Sequence, residues 1–173
     1  MRLQPRWGMV MCLTLEWLAL GVWVGGMLVL TGAVIPAVFN TFGGQDSGGV
    51  FLTRAFEGYH RLVIGAMAIM GAGCWYRWWS GDPAVAVGRG EMALLAGMVV
   101  IAGLIIAVLH PQAATLQAQA FAIQEGGEKK AALEALFRIL LPVRSLSMVN
   151  LVLGIILIGI RARRSLCRDG AAG

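Results

Sequence analysis

His60 and His110 are the chain's two histidines, and each stands at the end of an apolar run. An imidazole can ligate a metal or haem iron, or carry a proton near neutral pH. Glu57 and Arg61 flank His60 and lie four residues apart, so they can pair on one helix surface. Ser147, Asn150 and Gly154 share a helical face at i, i+3 and i+7, and Arg144 sits one turn earlier on that face. Polar and ionisable groups near hydrocarbon are costly and turn towards a bundle interior or a water-filled cleft. The expected ligand-binding set is therefore His60, His110, Arg144, Ser147 and Asn150. The alternative is structural: His and Arg anchor at the headgroups, while Ser147 and Asn150 hydrogen-bond between helices. Two histidines suffice as axial ligands of a haem. As a metal site, His60 and His110 have no third ligand beside them in the sequence. Glu16, just inside the first apolar run, is a proton-relay candidate if buried and an ordinary interfacial acid if it lies at headgroup depth. No HExxH, phosphate loop or Ser/His/Asp set is present.

The elements that position these residues follow from composition. Of 173 residues, 58% are hydrophobic and only 13% are charged. Soluble domains carry about a quarter charged residues, so the excess apolar surface must face lipid. The net charge of +5 is modest, and no stretch resembles a nucleic-acid-binding module, so the expected partner is the bilayer. Cys12, Cys74 and Cys167 show neither CxxC nor CxxxH spacing, which argues against disulfides or a cysteine-based metal site.

Four spans are expected, at about 10–39, 60–79, 91–110 and 140–160. The first is too long for the core of a signal peptide and reads as a retained span. In it Gly21 and Gly25 form a GxxxG pair that Gly32 continues, a helix-packing face to which Gly154 answers on the last span. Pro36 is expected to end or kink the first helix, and His110-Pro111 to stop the third. Asn40–Gly49 and Ser80–Gly90 read as loops, and Trp75–Trp79 (WYRWW) as an aromatic belt. Residues 112–136 mix alanine, polar and apolar residues, and suggest extra-membrane amphipathic helices broken near Gly126-Gly127. The tails IPAVFNTF and HPQAATLQ match loosely, as two duplicated hairpins would.

The expected fold is thus all-α: an antiparallel four-transmembrane-helix bundle with an amphipathic helical extension between helices 3 and 4, forming one integral membrane domain over residues 1–173. Four spans put both termini on one side. That side holds Arg2, Arg6, Arg77, Arg89, Arg161, Arg163, Arg164 and Arg168; the other holds Arg54, Arg61, Lys129, Lys130, Arg138 and Arg144. The dense RARR after the last span assigns the termini to the cytoplasmic face of the cell membrane.

Trp23–Gly26 (WVGG) followed by Ile35–Phe39 (IPAVF) resembles the first span of a family of small four-helix membrane proteins. It is the domain of unknown function numbered 4149, related to eukaryotic transmembrane protein 205. Phe56…Tyr59, His110-Pro111 and Phe137…SLSMVN resemble its later motifs in the same order. One position departs. Three residues before Ser147 the family carries histidine, and this chain has Arg144. An arginine stays charged at ordinary pH and donates only, so it neither ligates a metal nor shuttles protons. The bundle also looks remotely similar to half of copper-resistance protein D and to a haem-dependent protoporphyrinogen oxidase, a likeness of fold that carries no function.

The expected function is a non-enzymatic membrane module that binds a small ligand or helps to move it, alone as a homo-oligomer or with a membrane partner. No cofactor is expected in that reading. The alternatives are a redox protein holding haem b or a metal ion through His60 and His110, and a structural subunit of a membrane complex.

Overall fold

The computed structural model of the chain describes residues 7–43, 46–81, 85–123 and 127–169. In hydrocarbon every backbone N–H and C=O must be satisfied by the protein, and a helix does this within a single segment. All secondary structure among the described residues is helical. The first long helix is built from α1 (Trp7–Val29), a π-helical turn (Leu30–Val34) and α2 (Ile35–Phe42). Next comes α3 (Asp46–Ser80). The third long helix repeats the plan of the first, with α4 (Arg89–Leu104), a π-helical turn (Ile105–Leu109) and α5 (His110–Ala122). The last is α6 (Gly127–Asp169), with Pro142 inside it. Trp7–Phe42, Arg89–Ala122 and Glu134–Ser165 are long and apolar enough to cross a membrane.

Pro36, expected to end or kink its helix, and Pro111, expected to stop its helix, both lie within continuing helix. Pro36 and Pro111 each sit in the first turn after a π-helical turn. The Ile35 N–H donates to the Leu30 carbonyl, and the His110 N–H to the Ile105 carbonyl, both five residues back. A proline ring clashes with the carbonyl four residues before it. Widening that turn relieves the clash, so the helix passes through without breaking. The first long helix ends at Gly43, whose left-handed backbone (φ 57°) lets its N–H cap the Phe39 carbonyl.

The expected loop at Asn40–Gly49 shrinks accordingly. Helix covers all of it except Gly43 and residues 44–45, of which the latter two lie outside the described residues. The extension expected over 112–136 is formed by α5 and the start of α6. Gly126, at the expected break, lies outside the described residues, as do Arg2 and Arg6.

α1 and α2 pack along α3, α4 and α5 pack along α6, and α1 also meets α6. The core lies where all four long helices converge. Leu20, Trp23 and Val24 of α1 meet Val63, Ala66 and Met70 of α3, Met98 and Ala102 of α4, and Leu157 of α6. Outside it, Leu62, Ile64, Val100, Val152 and Ile155 point away from the protein, as an apolar solvent requires.

Candidate functional site

The core divides the molecule into two polar regions. One lies at the end where α1 begins and α6 finishes, here the terminal end. The other lies at the far end, beyond the π-helical turns.

At the far end the helices leave a cavity of about 890 Å³. Small-molecule sites span roughly 300–1,000 Å³. The floor of the cavity is core: Trp23, Val24, Val63 and Ala102. Its walls come from both π-containing helices, from α3 and from α6, and are largely apolar. His60, His110, Arg144, Ser147 and Asn150 all line it. The two imidazoles touch edge to face, with ring centroids 4.6 Å apart and planes at 87°. His60 Nδ1, His110 Nε2 and Asn150 Oδ1 are buried and have no hydrogen-bond partner. A buried polar atom left unpaired costs about 1–3 kcal/mol, and these three belong to residues of the cavity wall. Ser147 is buried, whereas Arg144 is exposed at the rim.

Sequence reasoning passed over several lining groups. The Tyr59 hydroxyl donates to the Trp23 carbonyl at 2.7 Å, pinning α3 to α1. Thr53 donates to the Gln117 side-chain oxygen, tying α3 to α5. Trp23 belongs to the WVGG motif, yet it is core and cavity floor rather than a membrane-surface anchor. Trp7, Trp17, Trp75, Trp78 and Trp79 are the exposed ones. The expected Glu57–Arg61 pair is absent. Glu57 accepts from Arg54 Nη1 at 3.1 Å on the exposed surface, one turn the other way.

At the terminal end the four long helices are joined by charge. Arg77 Nη1 of α3 lies 2.9 Å from Glu16 Oε2 of α1 and 3.1 Å from Glu91 Oε1 of α4. Arg161 of α6 donates from Nε to Glu91 Oε1 at 2.9 Å. Its Nη2 sits 2.8 Å from Glu16 Oε2 and 2.6 Å from Glu91 Oε1. That nitrogen is off the line of a regular hydrogen bond to either oxygen, so its part is Coulombic. All four side chains are buried. Two carboxylates and two guanidiniums neutralise each other, which is how such charges persist away from water. Arg164 Nη1 adds a third cation, 3.0 Å from Glu91 Oε2, with its side chain half exposed. Arg77 Nε also donates to the Val85 carbonyl at 2.8 Å. Glu16 is therefore a buried acid held in an ion-paired cluster, a partnering that neither of its readings anticipated. A side chain at Gly73 would occupy the space taken by the Glu16 carboxylate, and the Cys12 thiol lies 3.8 Å from that carboxylate and from the Gly73 carbonyl.

The packing glycines need correction. A Cβ added at Gly21, Gly25 or Gly32 meets nothing within 4 Å, so this stripe faces away from the rest of the chain. The close approach falls one residue further on, at Gly26, where a Cβ would stand 2.8 Å from the Tyr59 ring. Gly154 does pack, with a Cβ there 2.5 Å from Val24. GxxxG spacing selects a face of a helix, but the Tyr59 ring decides which neighbouring face is covered.

No group of three His, Cys, Asp or Glu that could hold a metal occurs among the described residues. Residues 18–122, more than half of the chain, match the family described as "Domain of unknown function (DUF4149)". No curated protein and no solved structure shows significant similarity to the chain.

Proposed function

The chain belongs to the DUF4149 domain family, and since that description assigns no activity, we propose from the site alone that the protein is a non-enzymatic membrane module that binds a small ligand in its far-end cavity. The observation that carries this reading is the cavity itself, about 890 Å³ of largely apolar space with three buried, unpartnered polar atoms on residues of its wall. Packed interiors do not keep such space and such atoms without cost.

In this reading the four long helices form an antiparallel bundle and one domain, and all four cross the cell membrane. The outward Leu62, Ile64 and Ile69 of α3 support its inclusion. Arg161, Arg163 and Arg164 favour the terminal end as the cytoplasmic side, so the cavity opens on the other. The outward face of Gly21, Gly25 and Gly32 suits contact with a second copy, because small residues let helices in lipid approach closely. The ordered motifs shared with the first span support the wider kinship with eukaryotic transmembrane protein 205.

Protein extracted in mild detergent should carry a co-purified small molecule, detected by mass spectrometry after denaturation. Ser147→Phe puts a ring into the cavity and should remove that molecule while elution volume and melting temperature hold. Equal ligand content in both proteins would sink the reading.

A second reading uses His60 and His110 as ligands of haem or of a metal ion in a redox protein. Rings in edge-to-face contact at 4.6 Å leave no room between them for a macrocycle, so the pair does not fit a haem held from both faces. The adjacent rings suit one ion shared between them, with further ligands supplied by solvent or substrate. An absorption spectrum and elemental analysis of the purified protein decide it: bound metal at one equivalent, lost in His110→Ala, favours this reading.

A further inference from the structure

We propose that the ligand is an anionic single-chain amphiphile, of the fatty-acid type, drawn sideways from the bilayer through the gap between α2 and α6. The inference rests on the ligand-binding reading above and names the class of guest. α2 packs against α3, and α6 packs against α5. The cavity lies between them, lined by Ile35, Val38 and Phe39 on one side and by Leu141, Arg144 and Met148 on the other. Phe39, Leu140, Leu141, Arg144 and Met148 line the cavity and are also exposed. Residues with both properties are the lips of an opening. Apart from Arg144 these lips are apolar, and an apolar opening on the side of a membrane helix pair admits hydrocarbon more readily than water.

The charge on the wall sets the head. Among the described residues that line the cavity there is no carboxylate, and Arg144 carries the one permanent charge. A guanidinium presents a planar fork that matches an oxyanion in two places. His60 and His110 line the same cavity, and an imidazole nitrogen bearing its proton donates to an oxyanion. The Asn150 amide can turn to offer either its N–H₂ or its oxygen. The tail then replaces empty space against Trp23, Met27 and Leu151. An acyl chain gains free energy on leaving water, but a chain already in lipid gains little from apolar walls. The head contacts therefore supply the selectivity.

The indole that floors the cavity makes the test direct. Trp23 is 2% exposed, so bulk detergent does not reach it. In a protein with Trp7, Trp17, Trp75, Trp78 and Trp79 changed to Phe, fluorescence reports Trp23 alone. Palmitate brominated along its chain should quench it saturably, and unlabelled palmitate should reverse the quenching. The brominated methyl ester, and the acid acting on Arg144→Gln, should each need at least ten-fold more ligand. Inorganic phosphate at millimolar concentration should not compete, because the tail holds the head in place. Competition by phosphate would show a water-borne anion and overturn the lateral route. Equal quenching by acid and ester, unchanged by Arg144→Gln, would overturn the anionic head while leaving a co-purified, Ser147→Phe-sensitive ligand to support the broader reading. Absence of saturable quenching by either overturns the amphiphile outright.

Discussion

Arg161 Nη2 lies 2.8 Å from Glu16 Oε2, so the last long helix is tied to the first by a fully buried ion pair. The same guanidinium contacts Glu91, and Arg77 closes the square from α3. Each long helix contributes one member. The cluster therefore fixes the rotation of every helix about its own axis at the terminal end, which apolar packing in lipid does only weakly.

Removing one partner from such a cluster leaves the others buried and unbalanced, a cost of roughly 3–5 kcal/mol. Glu91 meets three arginines, so Glu91→Gln should lower stability by about that amount. Arg164→Gln should cost far less, because its side chain is half in solvent. Chemical denaturation of the detergent-solubilised protein separates the two. Equal losses would mean that the cluster does not hold the fold.

Gly73 makes room for the Glu16 carboxylate, which links two residues far apart in sequence. Gly73→Ala should reproduce much of the loss caused by Glu16→Gln. The double variant should lose less than the two single losses combined, since the second change removes an interaction already broken. Additive losses would separate the two positions.

Much of the arrangement was legible before any coordinates. Long apolar runs mark membrane helices because lipid tolerates few charges; His60 and His110 stand out as polar groups at the ends of such runs, and Arg144, Ser147 and Asn150 as a polar face of the last one. All five line one cavity. Arg77, Glu91 and Arg161 were passed over, because each alone reads as a charge at headgroup depth. Only the rotations of four helices turn them inward together. Arg77 was further disguised by the tryptophans around it in WYRWW. The prolines flagged the two irregular turns, but whether a proline breaks a helix or is absorbed by a wider turn depends on the packing of the next segment.

The glycines of the first helix separate packing from composition. Gly26→Val should cost about 1–3 kcal/mol by driving a side chain into the Tyr59 ring. Gly21→Val and Gly25→Val should stay within about 0.5 kcal/mol, as their Cβ positions are open. If the outward stripe is a self-association face, those two changes should lower the yield of cross-linked dimers in native membranes. Unchanged dimer yield rejects the face without touching the fold.

Tyr59→Phe removes one hydroxyl and its 2.7 Å bond to the Trp23 carbonyl. The expected loss is about 1 kcal/mol, with a shift in Trp23 emission as the backbone beside it loosens. A wild-type melting temperature and an unchanged spectrum would remove that bond from the account.

The π-helical turns before Pro36 and Pro111 have a consequence for how the molecule can vary. Each adds a residue to a turn, and one residue corresponds to about 100° of helical rotation. The stretches beyond Leu30 and Ile105 thus keep a phase of their own, independent of the ionic square that sets the phase before them. The protein behaves as an anchored base carrying a separately indexed crown. Substitutions in the crown can reshape the chamber for another guest without unseating the base.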